Sequence, residues 1–413
     1  MIIDSMMYNG RCSCSREHAM TTALCVIENG CMFRIGEFLE KYGLLGKTAV
    51  IYDTNTYRAT ADRHPHATYE IVLPADGLHA NEHGVALLAE KLPEDAEILI
   101  AVGSGTVHDL TRYCAYQAGR KFVSCPTAAS VDGFCSSVAA MTWNGCKKTL
   151  TAQSPLLVLA DIDIIKKAPL RLARSGIGDM LGKFVANADW QIGRVLTGEY
   201  YCERIADLTL EATQKVLHSA DGILRGEDAA YTDLMAGLLL SGLAMQMLGY
   251  SRPASGAEHH ISHFIEMQPT VIDTASAALH GEKVGVGTLL AIGEYQRLTA
   301  KTDATFRDYV PFPAAEIKAV FGEKLTDGIL DENRQNCAVG ISGERLRECF
   351  PAIREIVSQL PRFEELSALY AETGIKSTLA DIGVREDLKE QILRYSPAVR
   401  NRLTLMRLRG CID

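Results

Sequence analysis

The stretch Glu97-Ile-Leu-Ile-Ala-Val-Gly103-Ser-Gly105-Thr-Val-His108-Asp109 decides how this chain is read. Its first half is an apolar run with no polar alternation. Such a run describes a strand buried on both faces, as in a parallel sheet. Glycines follow at once, and then residues able to open a helix. Glycine in that place lets backbone amides approach a phosphate, and a helix N-terminus favours negative charge. The dinucleotide fingerprint G-x-G-x-x-G is incomplete, because His108 stands where the third glycine belongs. A plain tight turn between strand and helix is the competing reading.

Working outward, three similar runs flank this one: Thr48–Asp53, Lys121–Cys125 and Leu156–Ala160. Helical stretches lie between some of them, at Asn81–Lys91 and Val107–Gly119. Strand, helix, strand in succession predicts an α/β domain. After about residue 165 no further strand is read. Ile205, Leu208, Ala212 and Val216 recur at helical spacing, and Thr232–Leu248, Glu344–Leu360 and Asp387–Tyr395 continue the helical signal. The expected fold is an α/β Rossmann-like domain over residues 1–165, followed by an all-α domain over 166–413.

Composition narrows the function classes. The chain has 413 residues, enough for two or three cores, and its hydrophobic fraction of 47% is that of a globular protein. The net charge of -9 argues against a nucleic-acid partner. Glycines, a serine and a glutamine interrupt the longest apolar stretch, Leu234–Leu248, so no membrane span is expected. The first residues lack a signal-peptide pattern. Twelve cysteines are too sparse for a disulfide scaffold, and reduced thiols in a cytoplasm are expected.

Asp53 ends its strand where a carboxylate can accept from an adenosine ribose, which would favour NAD over NADP. A helix cap is the other reading of Asp53. Pro126-Thr127-Ala128-Ala129-Ser130-Val-Asp132-Gly-Phe-Cys-Ser136 follows the third strand and brings hydroxyls and amides to its carboxyl end.

Four histidines fall between His259 and His280. In Ser255-Gly-Ala-Glu258-His259-His260-Ile-Ser-His263, Ser255 and Glu258 fit a capping box, so Glu258 is read as a cap. His259 and His263 share a helix face, while His260 points elsewhere. His280 opens another helix, and Gly178-Asp179 lies upstream. Two imidazoles and a carboxylate make a three-ligand set with an open position, the catalytic arrangement for zinc. Nickel, iron and cobalt suit the same donors. For Asp179 alone a helix N-cap is the competing reading, and for the histidines a metal-free helix face. Lys183 and Lys283 are candidates for a phosphate, against solvated helix lysines. Cys12-Ser-Cys14, with Cys25 and Cys31, raises a small metal or redox site, but one residue between cysteines departs from zinc-knuckle spacing and they are read as ordinary.

Taken together, Gly103–Asp109, Pro126–Phe134, Gly178-Asp179, Ser255–His263 and His280-Gly-Glu-Lys-Val-Gly-Val-Gly287 resemble the sn-glycerol-1-phosphate dehydrogenases, their bacterial branch in particular. The tail Ser396–Leu405 and Cys12-Ser-Cys14 also resemble that branch. The glycine loop is shared with iron-type alcohol dehydrogenases, glycerol dehydrogenases and dehydroquinate synthases.

The resemblance implies a dehydroquinate synthase-like architecture with its active site between two domains. It implies a cytoplasmic homo-oligomer that interconverts dihydroxyacetone phosphate and sn-glycerol 1-phosphate using NAD or NADP. It further implies one divalent metal (zinc, nickel or iron) on Asp179, His259 and His280, with Asp179, His263 and Asp132 at the catalytic centre. Asp53, Gly103, Gly105, Thr106, Val107, His108, Asp109, Thr127, Ala128, Ala129, Ser130 and Ser136 map to the nucleotide. Ala129 stands where many relatives are expected to have proline. A glycerol dehydrogenase acting on an unphosphorylated polyol and a dehydroquinate synthase-type lyase are the alternatives.

Overall fold

A computed structural model describes residues 1–143 and 146–413, the side chains of 146 and 147 excepted. Among the described residues eleven strands are present: β1 Ile2–Asp4, β2 Gly10–Arg11, β3 Glu17–His18, β4 Leu24–Glu28, β5 Thr48–Asp53, β6 Tyr69–Leu73, β7 Ile98–Gly103, β8 Lys121–Pro126, β9 Val138–Trp143, β10 Cys146–Thr151 and β11 Leu157–Asp161. Seven form one sheet in the order β1-β4-β11-β8-β7-β5-β6. All its pairings are parallel except β1 against β4.

The four apolar runs are strands at this sheet's centre. Alternate residues serve opposite faces. Val50, Tyr52, Ile98, Ile100 and Val102 pack with Met32, Ile35 and Leu39 on one side. Ala49, Ile51, Leu99 and Ala101 pack with Leu88, Val107 and Leu110 on the other. Covered faces on both sides explain the missing polar alternation. Beyond those four runs the structure adds β1, β4 and β6 to the sheet and the two hairpins β2-β3 and β9-β10.

Among the described residues no strand follows Asp161. Long helices take over at Leu170–Thr197, Glu203–Leu224 and Asp228–Leu248, and later at Ala257–Met267, His280–Thr299 and Gly343–Ser358. No described helix is long and apolar enough to cross a membrane. The chain divides into two compact units. The first comprises Met1–Gly176 with Gln214–Tyr250, and the second Ile177–Thr213 with Ser251–Asp413. This differs from a single cut at 165/166. Helix Asp228–Leu248 belongs with the sheet, because its apolar surface runs nearly all round and needs cover on most sides.

In the first unit the strand order reverses between β5 and β7, which are paired in register from Thr48↔Ile98 to Ile51↔Ala101. Open α/β sheets bind ligands at the carboxyl ends of strands at such a switch point. Gly103 closes β7 there, and a Cβ on it would lie 2.6 Å from the Cβ of Val107. We predict that Gly103→Ala costs about 1–3 kcal/mol by overpacking this turn. A denaturant titration with an unchanged midpoint would contradict that.

Candidate active site

In the second unit, Asp179 lies in the interior of helix Leu170–Thr197 and is fully buried. It is not an N-cap, so that alternative falls. The helix can approach its neighbours because Gly178 carries no side chain: a Cβ there would lie 2.4 Å from the carbonyl oxygen of Gly281. Gly287 likewise would meet the carbonyl oxygen of Glu258 at 2.5 Å. Close packing of three helices thus brings their polar groups to one point.

Those groups are Asp179, His259 and His280, each offering one ligand atom, all within 4.8 Å of one another. Nε2 of His259 is 3.6 Å from Oδ1 of Asp179. Each imidazole is held from behind. Nδ1 of His259 donates to Oε1 of Glu258 at 2.7 Å, and Nδ1 of His280 donates to Oε1 of Glu266 at 3.0 Å. A proton fixed on Nδ1 leaves the Nε2 lone pair for a cation, and carboxylates in this position are the usual outer partners of metal-bound histidine. The donor set therefore fits a divalent metal ion.

The electrostatics agree. Burial opposes ionisation of Asp179, but Lys183, His280 and His259 outweigh it and hold the carboxyl at about 2. Burial, with Lys183 next, pushes His259 well below its usual range, so it is a neutral donor. Burial is also opposed at Glu266, where His280 and His263 keep the carboxylate ionised. Burial raises Glu258 to about 7.

His263, one turn beyond His259, is half-buried, and its Nδ1 donates to Oε2 of Glu266 at 3.2 Å. Glu266 thus ties His263 to His280 and also receives Lys283 Nζ at 3.2 Å. His260 is turned away and buried. The capping expectation at Ser255 needs correction. Helix Ala257–Met267 has Gly256 as its N-cap, and Glu258 reaches back to the Gly256 amide while also holding His259. Lys183 and Lys283 are not solvated. Lys183 Nζ donates to Asp179 and to the carbonyl of Ala254, each at 3.0 Å. Both lysines neutralise site carboxylates. Sequence reading missed Glu266, although its spacing of three from His263 on one helix was a signal.

In the first unit, Asp53, the Gly103–Asp109 turn and the Thr127–Ser130 loop gather at the carboxyl ends of β5, β7 and β8. Thr127 N donates to Gly103 O at 2.9 Å, locking two of these loops together. Ser104 caps helix Gly105–Gln117 by backbone alone. The amides of Gly105, Thr106 and Val107 then have no intrahelical acceptor. A Cβ on Gly105 would meet only Val131, at 3.8 Å, so the unit's own packing does not require this glycine. These features make a cradle suited to phosphate oxygens.

Other mapped residues are structural in their visible contacts. Asp53 accepts from the amides of Asn55 and Thr56, both at 2.8 Å, as a helix cap. His108 turns into the core. Its Nδ1 lies 3.0 Å from Ser104 O and its Nε2 2.8 Å from Ser124 Oγ, while its amide donates to Ser104 O, so neither ring nitrogen nor amide is left for a ligand. The missing third glycine is thus a buried strut. Asp109 lies 3.7 Å from Arg112, whose guanidinium donates to the carbonyls of Phe134, Ser136 and Val138. The Ser136 hydroxyl donates to Val138 O at 2.9 Å. Ala128, Ala129 and Ser130 are buried, and Ser241 donates to Asp132 at 2.9 Å.

Residues 26–169 match the family model for iron-containing alcohol dehydrogenase. Among curated proteins, the glycerol-1-phosphate dehydrogenase [NAD(P)+] of Bacillus licheniformis is 32% identical over 410 residues, covering 97% of this chain and 92% of its own. That of Geobacillus stearothermophilus is 35% identical over 328 residues, covering 79% and 75%. This chain belongs to the glycerol-1-phosphate dehydrogenase family. Its fold is shared with a probable glycerol dehydrogenase from Sinorhizobium meliloti 1021, at TM-score 0.63, 19% identity and 94% coverage of both chains. In this chain the strands precede the long helices.

Removing one member of a buried ion pair costs about 3–5 kcal/mol, since the other charge stays desolvated. Lys183→Ala should destabilise the metal-free protein by that order, and the Asp179→Asn/Lys183→Met pair by far less. Equal losses, measured by urea unfolding in chelator, would refute the role given to Lys183.

Proposed function

We propose that this chain interconverts dihydroxyacetone phosphate and sn-glycerol 1-phosphate with NAD(P)H, on a divalent ion held by Asp179, His259 and His280. The reading is carried by family membership along nearly the whole chain, joined to a donor set in the second unit that fits a catalytic metal. A bound nicotinamide would supply the hydride for C2 of the ketone. A divalent ion bound to the three donors supplies a Lewis acid for the negative charge that grows on the ketone oxygen.

The chain's residues do the rest. Glu258 and Glu266 hold the Nδ1 protons of His259 and His280, so both rings present neutral Nε2 donors. Two neutral imidazoles and one carboxylate leave net positive charge at the centre, which suits an oxyanion. His263, its Nδ1 held by Glu266, takes a solvent proton on Nε2 and relays it to the oxygen that becomes the alcohol. Asp132, held by Ser241, orients substrate hydroxyls. Gly105, Thr106 and Val107 present amides to the pyrophosphate, with Thr127–Ser130 alongside. Asp53 keeps one carboxylate oxygen for a ribose hydroxyl while the other caps its helix.

His259→Ala should lose bound metal and lower kcat about 100-fold or more, since Lewis-acid stabilisation is worth several kcal/mol. Normal turnover by that variant, shown metal-free by elemental analysis, would end the proposal for the ion. In the same assay, kcat/KM for dihydroxyacetone phosphate should exceed that for dihydroxyacetone, and the product should be the 1-phosphate enantiomer. A preference for the unphosphorylated ketone would indicate a glycerol dehydrogenase.

A further inference from the structure

A second cluster of metal-type donors lies in the first unit, on the small hairpin β2-β3. Gly10 pairs with His18 and Arg11 with Glu17. The turn between is tight: Cys12 N donates to Arg16 O at 2.9 Å and Ser15 N to Cys12 O at 3.0 Å, with Ser15 at φ 68°. This folding turns Cys12 and Cys14 toward His18. One ligand atom from each of the three lies within 4.8 Å of the others. Cys25 and Cys31, read beside them in the sequence, instead sit buried in the sheet's core. None of the described cysteines is disulfide-bonded.

The histidine is set up as a ligand. His18 is buried, and its Nδ1 lies 2.8 Å from the carbonyl oxygen of Met247. A carbonyl only accepts, so Nδ1 carries the proton and Nε2 presents its lone pair. Nε2 is 3.4 Å from Sγ of Cys14. In a tetrahedral zinc site, bonds of about 2.3 Å to sulfur and 2.0 Å to nitrogen put those atoms about 3.5 Å apart. An imidazole whose far N–H is held by a backbone carbonyl is also the usual outer arrangement of a metal-bound histidine.

We propose that Cys12, Cys14 and His18 bind a zinc-class ion distinct from the one at Asp179, His259 and His280, and that it staples this hairpin. The ion displaces the two thiol protons to solvent and takes its fourth ligand from elsewhere. Two strands of two residues each hold little stability of their own. A metal cross-link is the remedy small elements use. Thiolates make this site softer than the two-nitrogen, one-oxygen site, so the two differ in the metals they select. The proposal stands whether or not the catalytic reading holds.

Cobalt(II) exchanged into the full-length protein is the probe. Thiolate ligation gives a sulfur-to-cobalt charge-transfer band in the near ultraviolet, which histidine and carboxylate do not. The band is expected in wild type and in His259→Ala, and absent from Cys12→Ser/Cys14→Ser. Metal analysis should show that double variant one zinc equivalent poorer than wild type. In wild type, needing no variant, alkylation of the Cys12–Cys14 peptide should quicken at least tenfold after chelation. No band in folded wild type, a band unchanged in the cysteine variant, or alkylation indifferent to chelator would overturn the proposal.

Discussion

A carboxylate buried without access to water must be neutralised by what surrounds it, and Asp179 sets that demand for the whole second unit. Lys183, one helical turn along, answers it directly at 3.0 Å. His259 and His280 are drawn to the same point by helices that pack closely through glycine. Their own far nitrogens need acceptors, and Glu258, fully buried, and Glu266, half-buried, supply them. Such a network holds its inner atoms in fixed places, which is what a metal site requires.

The rest of the unit holds this network in register. Asp189 accepts from the amides of Ala257 and Leu405 and from the Tyr295 hydroxyl. It therefore links the start of the His259 helix, the far end of the His280 helix and the C-terminal tail. Arg402, also in that tail, donates to Ser255 O and Ser251 Oγ, bracing the loop that leads to His259. The tail's resemblance to one branch of the family thus has a physical content: it clamps the segment that carries His259.

The sheet's own logic is different. There the constraint is a strand order that reverses between β5 and β7. Loops leaving neighbouring strands at that point diverge and leave room for a ligand, with helix N-terminal amides beneath it. His108 fills the core behind the turn where the dinucleotide fingerprint calls for glycine, and it does so by satisfying both ring nitrogens internally.

What the sequence determined by itself follows from periodicity and residue type. Apolar runs at 48–53, 97–102, 121–125 and 156–160, with little polar alternation, point to burial on both faces, so the central strands were legible to within a residue of their bounds. Histidines and an aspartate near glycines made the donor set legible as chemistry. What only tertiary structure decided is everything set by packing between distant segments. Asp179 could have been a cap until the helix was seen to begin at Leu170. Glu258 looked like a cap and is also a histidine's partner, because its Oε1 lies within reach of both the Gly256 amide and His259 Nδ1, which sequence does not show. Lys183 and Lys283 looked solvated and are buried counter-charges. Cys12 and Cys14 looked ordinary because their third partner, His18, is oriented by a carbonyl from Met247, 229 residues away along the chain. Residue type fixes what a side chain can do, and the approach of distant backbone fixes which of those things it does.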